Sequence, residues 1–140
     1  MTHPTIPPVG SELPVLRRTI TLTDMIAYAG STWDWHRLHY DPDYLARRGL
    51  PAPVVDGQFF GALLVAQAQD FFGGQAFVRS LHFRFANLVF AGDTVECTMR
   101  VTAVETRGSL VVATLAASVG VGGDHARVAV APAGLQVELR

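Results

Sequence analysis

Residues Gly57–Phe72 read GQFFGALLVAQAQDFF. The spacing predicts one helix over this stretch, entered after Asp56 and ended by Gly73-Gly74. Phe59, Phe60, Leu63, Leu64, Val65, Ala66 and Ala68 leave almost no polar face in its first turns. A helix that is apolar nearly all round has to be buried.

The residues that follow supply something to bury it. In Leu81–Phe85, Leu81, Phe83 and Phe85 face one way, and His82 and Arg84 the other. In Thr94–Thr102, Val95, Cys97, Met99 and Val101 alternate with Thr94, Glu96, Thr98 and Arg100. This is strand patterning with a period of two. Leu110–Val121 is apolar on both faces and is expected as a covered, central strand. Gly122-Gly123-Asp124 reads as a turn, and His125–Ala131 as a returning strand. Leu135–Leu139 extends it after a bulge at 132–134.

Upstream, Leu16–Thr21 is a strand candidate, and residues 1–14, rich in proline, are expected as an extended arm. A helix follows with Thr23 as N-cap, Asp24 in its first turn and its end at Gly30. Asp41-Pro42 opens a short helix that Arg47, Arg48 and Gly49 close. Leu50–Val55, with two prolines, is a loop. The order is one strand, helices, then a run of strands. That implies an α+β domain over residues 15–140, an antiparallel sheet wrapped round one long buried helix, called a hot dog.

Composition narrows the chemistry. The chain has 140 residues, 49% hydrophobic and 16% charged, with net charge −1. This is enough for one domain with a core, and gives no electrostatic reason to expect nucleic acid or a membrane surface as partner. No apolar run approaches the roughly 20 residues of a membrane helix. All 11 basic residues are arginine, which excludes Schiff-base and P-loop lysine chemistry. The single cysteine, Cys97, excludes an intrachain disulfide and suits a reducing cytoplasm. It falls on the apolar face of its strand, which reads as core. His36 and His39 lack a third ligand at any recognised spacing, so no metal is expected.

The segment STWDWHRLHYD, Ser31–Asp41, concentrates the functional side chains. Asp34 and His39 fall at opposite ends of a short irregular turn, from which both could converge on one water or hydroxyl. A carboxylate and an imidazole together can remove one proton and deliver another, as adding or removing water across a double bond requires. Trp33 and Trp35 are placed to dry the site. The same spacing is also met by a polar loop in which Asp34 caps a turn and His39 bonds to backbone.

This segment resembles the signature of the MaoC-like, (R)-specific enoyl-thioester hydratase/dehydratase family, roughly S-G-D-x-N-P-h-H-x-D followed by a helix. Asp34, His39 and Asp41 match, and Ala46 lies on the helix after them. The family's P-V-V-H-G entry to the central helix is similar to Pro53-Val54-Val55-Asp56-Gly57. Its F-x-x-x-V-x-x-G-D-T run is similar to Phe85–Val89 followed by Gly92-Asp93-Thr94. The resemblance covers about residues 20–140 and implies the hot-dog fold. The chain departs from it at His36-Arg37, where the family has N-P, and at Asp56, where it has histidine.

The resemblance implies that Asp34 and His39 hold a water, or the 3-hydroxyl of a 3-hydroxyacyl thioester carried on coenzyme A or phosphopantetheine. No other cofactor is implied. The backbone N–H of Gly57 would meet the thioester oxygen, and glycine there would let the acyl chain come close. Asp56 reads as an N-cap or a substrate contact. With Val55 and Trp35 near the dyad, Tyr40 and Gln58 read as pocket lining or packing. Arg84 reads as a phosphate contact or part of a solvated strand face. Two other readings stay open: a hot-dog thioesterase, and a non-catalytic or repurposed hot-dog subunit. A lone sheet of this kind exposes apolar strands, so at least a dimer is expected, as a homodimer or with another hot-dog chain.

Overall fold

The computed structural model describes residues 6–74, 76–122 and 127–139. The predicted turn at Gly123-Asp124 and the strand start at His125 lie outside the described residues.

Among the described residues, five strands form one antiparallel sheet: β1 (Leu16–Thr19), β2 (Ala76–Phe85), β3 (Thr94–Arg107), β4 (Leu110–Val121) and β5 (Arg127–Leu139). Their order is β1-β3-β4-β5-β2. β4, apolar on both faces, is the middle strand. β3 runs on to Arg107, past the expected Thr102, because Ala103–Arg107 pair with Thr114–Leu110 of β4. β5 is continuous, and the expected bulge appears as register shifts on both neighbours, Ala117/Val119 and Phe83/Phe85, opposite Ala131-Pro132.

The helix α3 (Gly57–Phe72) lies against this sheet. Phe59, Phe60, Leu63, Leu64, Ala68 and Phe72 share one core with Val95, Cys97, Met99, Val101, Leu115, Val130, Leu135 and Val137. Each such Leu, Val or Phe contributes roughly 1.5–3 kcal/mol by leaving water. Gly61 sets how closely α3 approaches β2, since a Cβ there would stand 3.0 Å from the Phe83 ring. Gln67 is the polar residue of the buried face, and its amide donates to the carbonyls of Pro14 at 2.8 Å and Cys97 at 3.0 Å. The segment before β1 also reaches the sheet. Gly10 and Leu13 donate to Val101 and Met99, and Leu13 is buried in the core.

The helix α1 (Leu22–Thr32) begins two residues earlier than expected. Thr21, not Thr23, is its N-cap, because Asp24 completes a capping box with it. The Asp24 N–H donates to Thr21 Oγ1 at 3.1 Å, and the Thr21 N–H donates to Asp24 Oδ2 at 2.9 Å. The helix passes Gly30 and stops at Trp33, which takes a left-handed conformation with φ 60°. The short helix α2 (Pro42–Arg47) is capped by Asp41 with Pro42 in its first turn, as expected. No helix among the described residues is long and apolar enough to cross a membrane.

Candidate active site

The left-handed Trp33 ends α1 and turns the chain into the loop that carries Asp34 and His39. Asp34 Oδ1 accepts the backbone N–H of His36 at 3.2 Å. His36 Nδ1 accepts from Leu38, and a single 3-10 turn over Arg37–His39 follows. These local bonds bring the two side chains together, with His39 Nε2 3.9 Å from Asp34 Oδ2. The imidazole is nearly covered, with 12% of its side chain exposed, and the carboxylate is half open at 47%.

A second segment aims the histidine. His39 Nδ1 lies 2.6 Å from the carbonyl oxygen of Val54. A carbonyl can only accept, so Nδ1 carries the hydrogen, and in the neutral ring Nε2 presents its lone pair. Val54 is held by its own N–H bond to the Leu38 carbonyl, and Val55 by one to Val89. At 3.9 Å the pair is too far apart to bond directly. An oxygen about 2.8 Å from both atoms fits between them.

The pocket at this point is lined by Met25, Tyr28, Ala29, Asp34, His39, Val55, Asp56 and Phe59. Met25, Ile26, Ala29, Trp35, His39 and Tyr40 line an adjoining, more open groove. The Tyr28 ring meets Phe59 edge-on at 5.0 Å. Burial, and then the nearby Asp56 carboxylate, raise its phenol above the ordinary value of 10.0.

Of the residues picked out in the sequence, Asp34, His39, Val55 and Asp56 come together in the pocket, and Trp35 and Tyr40 in the groove beside it. Asp56 is also the N-cap of α3, accepting the Gln58 N–H at 2.9 Å. Gln58 itself is exposed and lines neither space. Arg84 is exposed on β2, its side chain opposite the core-packed Phe83, so the pleat turns it away from the pocket. Gly57 is the first residue of α3, and its N–H has no acceptor among the described residues. A Cβ on Gly57 would stand 2.3 Å from Phe85 Cζ, so packing against this ring by itself favours a residue without a side chain. The tryptophans do not dry Asp34, because Trp33 is 79% exposed and the Asp34 carboxylate remains open.

Met25, Tyr28, Ala29 and Phe59 were not among the predicted site residues. The first three stand at i, i+3 and i+4 on α1, a stripe legible as one helix face. That this face looks onto Asp34 is set by packing. Asp34, His39 and Asp56 also place one donor atom each within 4.8 Å of one another. This set has the donor chemistry to approach a divalent cation, but open carboxylates alone do not specify one.

A family model described as "MaoC like domain" matches residues 7–121. Among curated proteins, a mitochondrial 3-hydroxyacyl-[acyl-carrier-protein] dehydratase of Arabidopsis thaliana is 33% identical over 84 residues, 58% of this chain and 49% of that protein. The match thus spans about half the length of that relative. Among solved structures, an (R)-hydratase from A. caviae involved in PHA biosynthesis superposes with a TM-score of 0.85 at 24% identity, covering 97% of this chain and 99% of that one. The ChsH1-ChsH2 complex from Mycobacterium tuberculosis gives 0.84 at 24% identity, covering 96% of this chain and 100% of that one.

Proposed function

Because the chain belongs to the MaoC-like domain family, we propose that it is a hydro-lyase. Its reaction is the reversible hydration of a 2-enoyl thioester to an (R)-3-hydroxyacyl thioester. The observation that carries this reading is the convergence of Asp34 Oδ2 and His39 Nε2, with Nε2 left as the acceptor by the Val54 bond. The names of the dehydratase and hydratase relatives support it.

In the hydration direction, a water lies between the pair. Asp34 accepts one of its hydrogens and orients it. His39 Nε2 takes the other as the water oxygen bonds to C3. The electron pair of the double bond moves to the thioester oxygen through C2. The imidazolium then returns its proton to C2, and dehydration is the reverse. The Gly57 N–H, at the positive end of α3, is the donor available for the charged oxygen. Val55, Tyr28 and Phe59 form the apolar walls, and Asp56 stands beside Tyr28 at the polar end. The substrate brings its own carrier, coenzyme A or a carrier-protein arm.

The test is absorbance loss with crotonyl-CoA and longer enoyl-CoAs. Asp34→Asn and His39→Ala are each expected to lower kcat about 100- to 10,000-fold. No turnover of any thioester, or variants equal to wild type, removes the reading. Release of free thiol instead would favour thioester hydrolysis.

We also propose that the chain works as at least a dimer, with itself or with another hot-dog chain. β2 ends the sheet, and Phe85, Leu88 and Val128 are exposed near it. A sedimentation mass of about 15 kDa, the mass of one chain, at micromolar concentration would overturn this.

A further inference from the structure

Next to the dyad, α2 carries a second arrangement. Arg37 Cζ stands 5.4 Å and Arg48 Cζ 5.1 Å from the centroid of the Tyr44 ring. His36 meets the same ring edge-on at 5.8 Å, and its own ring is 6.1 Å from that of His39. Contact therefore runs in sequence from His39 through His36 and Tyr44 to Arg48.

Two cations over one ring repel each other unless anions accompany them. Arg37 has one, since its guanidinium bonds Asp41 at 2.6 Å. Arg48 and its neighbour Arg47 have no carboxylate within ion-pair distance among the described residues. Asp43, one turn before Arg47, forms no such pair either. Arg17, Arg18, Arg79, Arg107 and Arg127 are all paired with carboxylates. Arg84 and Arg100 share the unpaired state, but they lie on β2 and β3, and neither stacks on Tyr44. Closing the last turn of α2 accounts for one cation near its carbonyl end. It does not account for a second guanidinium stacked on the same tyrosine as an already paired one.

We propose that Arg48, assisted by Arg37 and Arg47, binds the phosphate of the substrate's phosphopantetheine arm. This rests on the thioester reading above. A thioester held at His39 and a phosphate held at Arg48 are the two ends of one flexible arm, and that phosphate is common to coenzyme A and to a carrier protein. Guanidinium groups meet phosphate oxygens in pairs of hydrogen bonds, and a stacking ring fixes the guanidinium plane beforehand. In a chain without lysine, arginine is the cationic side chain available for this contact.

The test compares crotonyl-CoA, crotonyl-phosphopantetheine and crotonyl-pantetheine, which lacks the phosphate. Wild type is expected to favour the first two in kcat/KM. In Arg48→Gln that preference should fall about tenfold, mainly through KM, while Arg100→Gln keeps it. An undiminished preference in Arg48→Gln overturns the assignment. So does a preference shown for crotonyl-CoA but not for crotonyl-phosphopantetheine, which would place the contact on the nucleotide. If no thioester turns over, the hydro-lyase reading fails, and calorimetry with coenzyme A still decides the site. Binding that weakens in Arg48→Gln supports it, and absent or unchanged binding overturns it.

Discussion

His39 Nδ1 donates to the carbonyl oxygen of Val54 across 2.6 Å, joining the turn after α1 to the segment that leads into α3. This bond decides which nitrogen of the ring faces Asp34. It also ties the candidate base to backbone that is itself bonded to Leu38 and Val89.

The neutral ring of His39 is therefore expected in the Nδ1–H tautomer. Nitrogen NMR of the neutral imidazole checks this directly. A ring carrying its hydrogen on Nε2 would rule out the base role assigned to that atom.

Gly57 and Phe85 should be energetically coupled. Gly57→Ala pushes a methyl group into the Phe85 ring and is expected to cost roughly 1–3 kcal/mol in chemical denaturation. In a Phe85→Ala background the cost should drop by about 1 kcal/mol or more. Additive effects would mean that the ring does not explain the glycine.

The Cys97 thiol is fully buried, and burial pushes it up to about 12. Since the thiolate is the reactive form, a thiol reagent at neutral pH should leave the native protein unlabelled and react once it is unfolded. Rapid labelling of folded protein would contradict the core position.

Hydrogen bonds from the backbone and side chain of Thr21, and then from Arg18, lower the Asp24 carboxyl from 3.8 to about 2. A carboxyl lowered in the folded state stabilises it most above the ordinary value, and this contribution is lost as pH falls through the lowered one. The Tm gap between wild type and Asp24→Asn should hold at neutral pH, narrow below about 4, and close near pH 2. Thr21→Ala is expected to cost about 1 kcal/mol at neutral pH. A gap independent of pH would show that the charge of Asp24 does not matter to the cap.

Much of the fold is legible locally. The all-round apolarity of Gly57–Phe72 and the alternation of Thr94–Thr102 record which faces are buried, since side-chain periodicity follows from backbone geometry. Helix ends were harder: Thr21 and Thr23 are both capping residues, and only the reciprocal bonds with Asp24 separate them.

The sequence by itself determined that a carboxylate and an imidazole share one short turn, that one helix is buried, and that all the cations are arginine. Only the tertiary structure decided what surrounds the pair. Val54, Val55 and Asp56 reach His39 because the segment bonds to Leu38 and Val89. Tyr28 reaches the pocket because one face of α1 packs on Phe59. Arg84 stays outside because the pleat of β2 turns it the other way. These are long-range choices of register and packing, which no local spacing encodes.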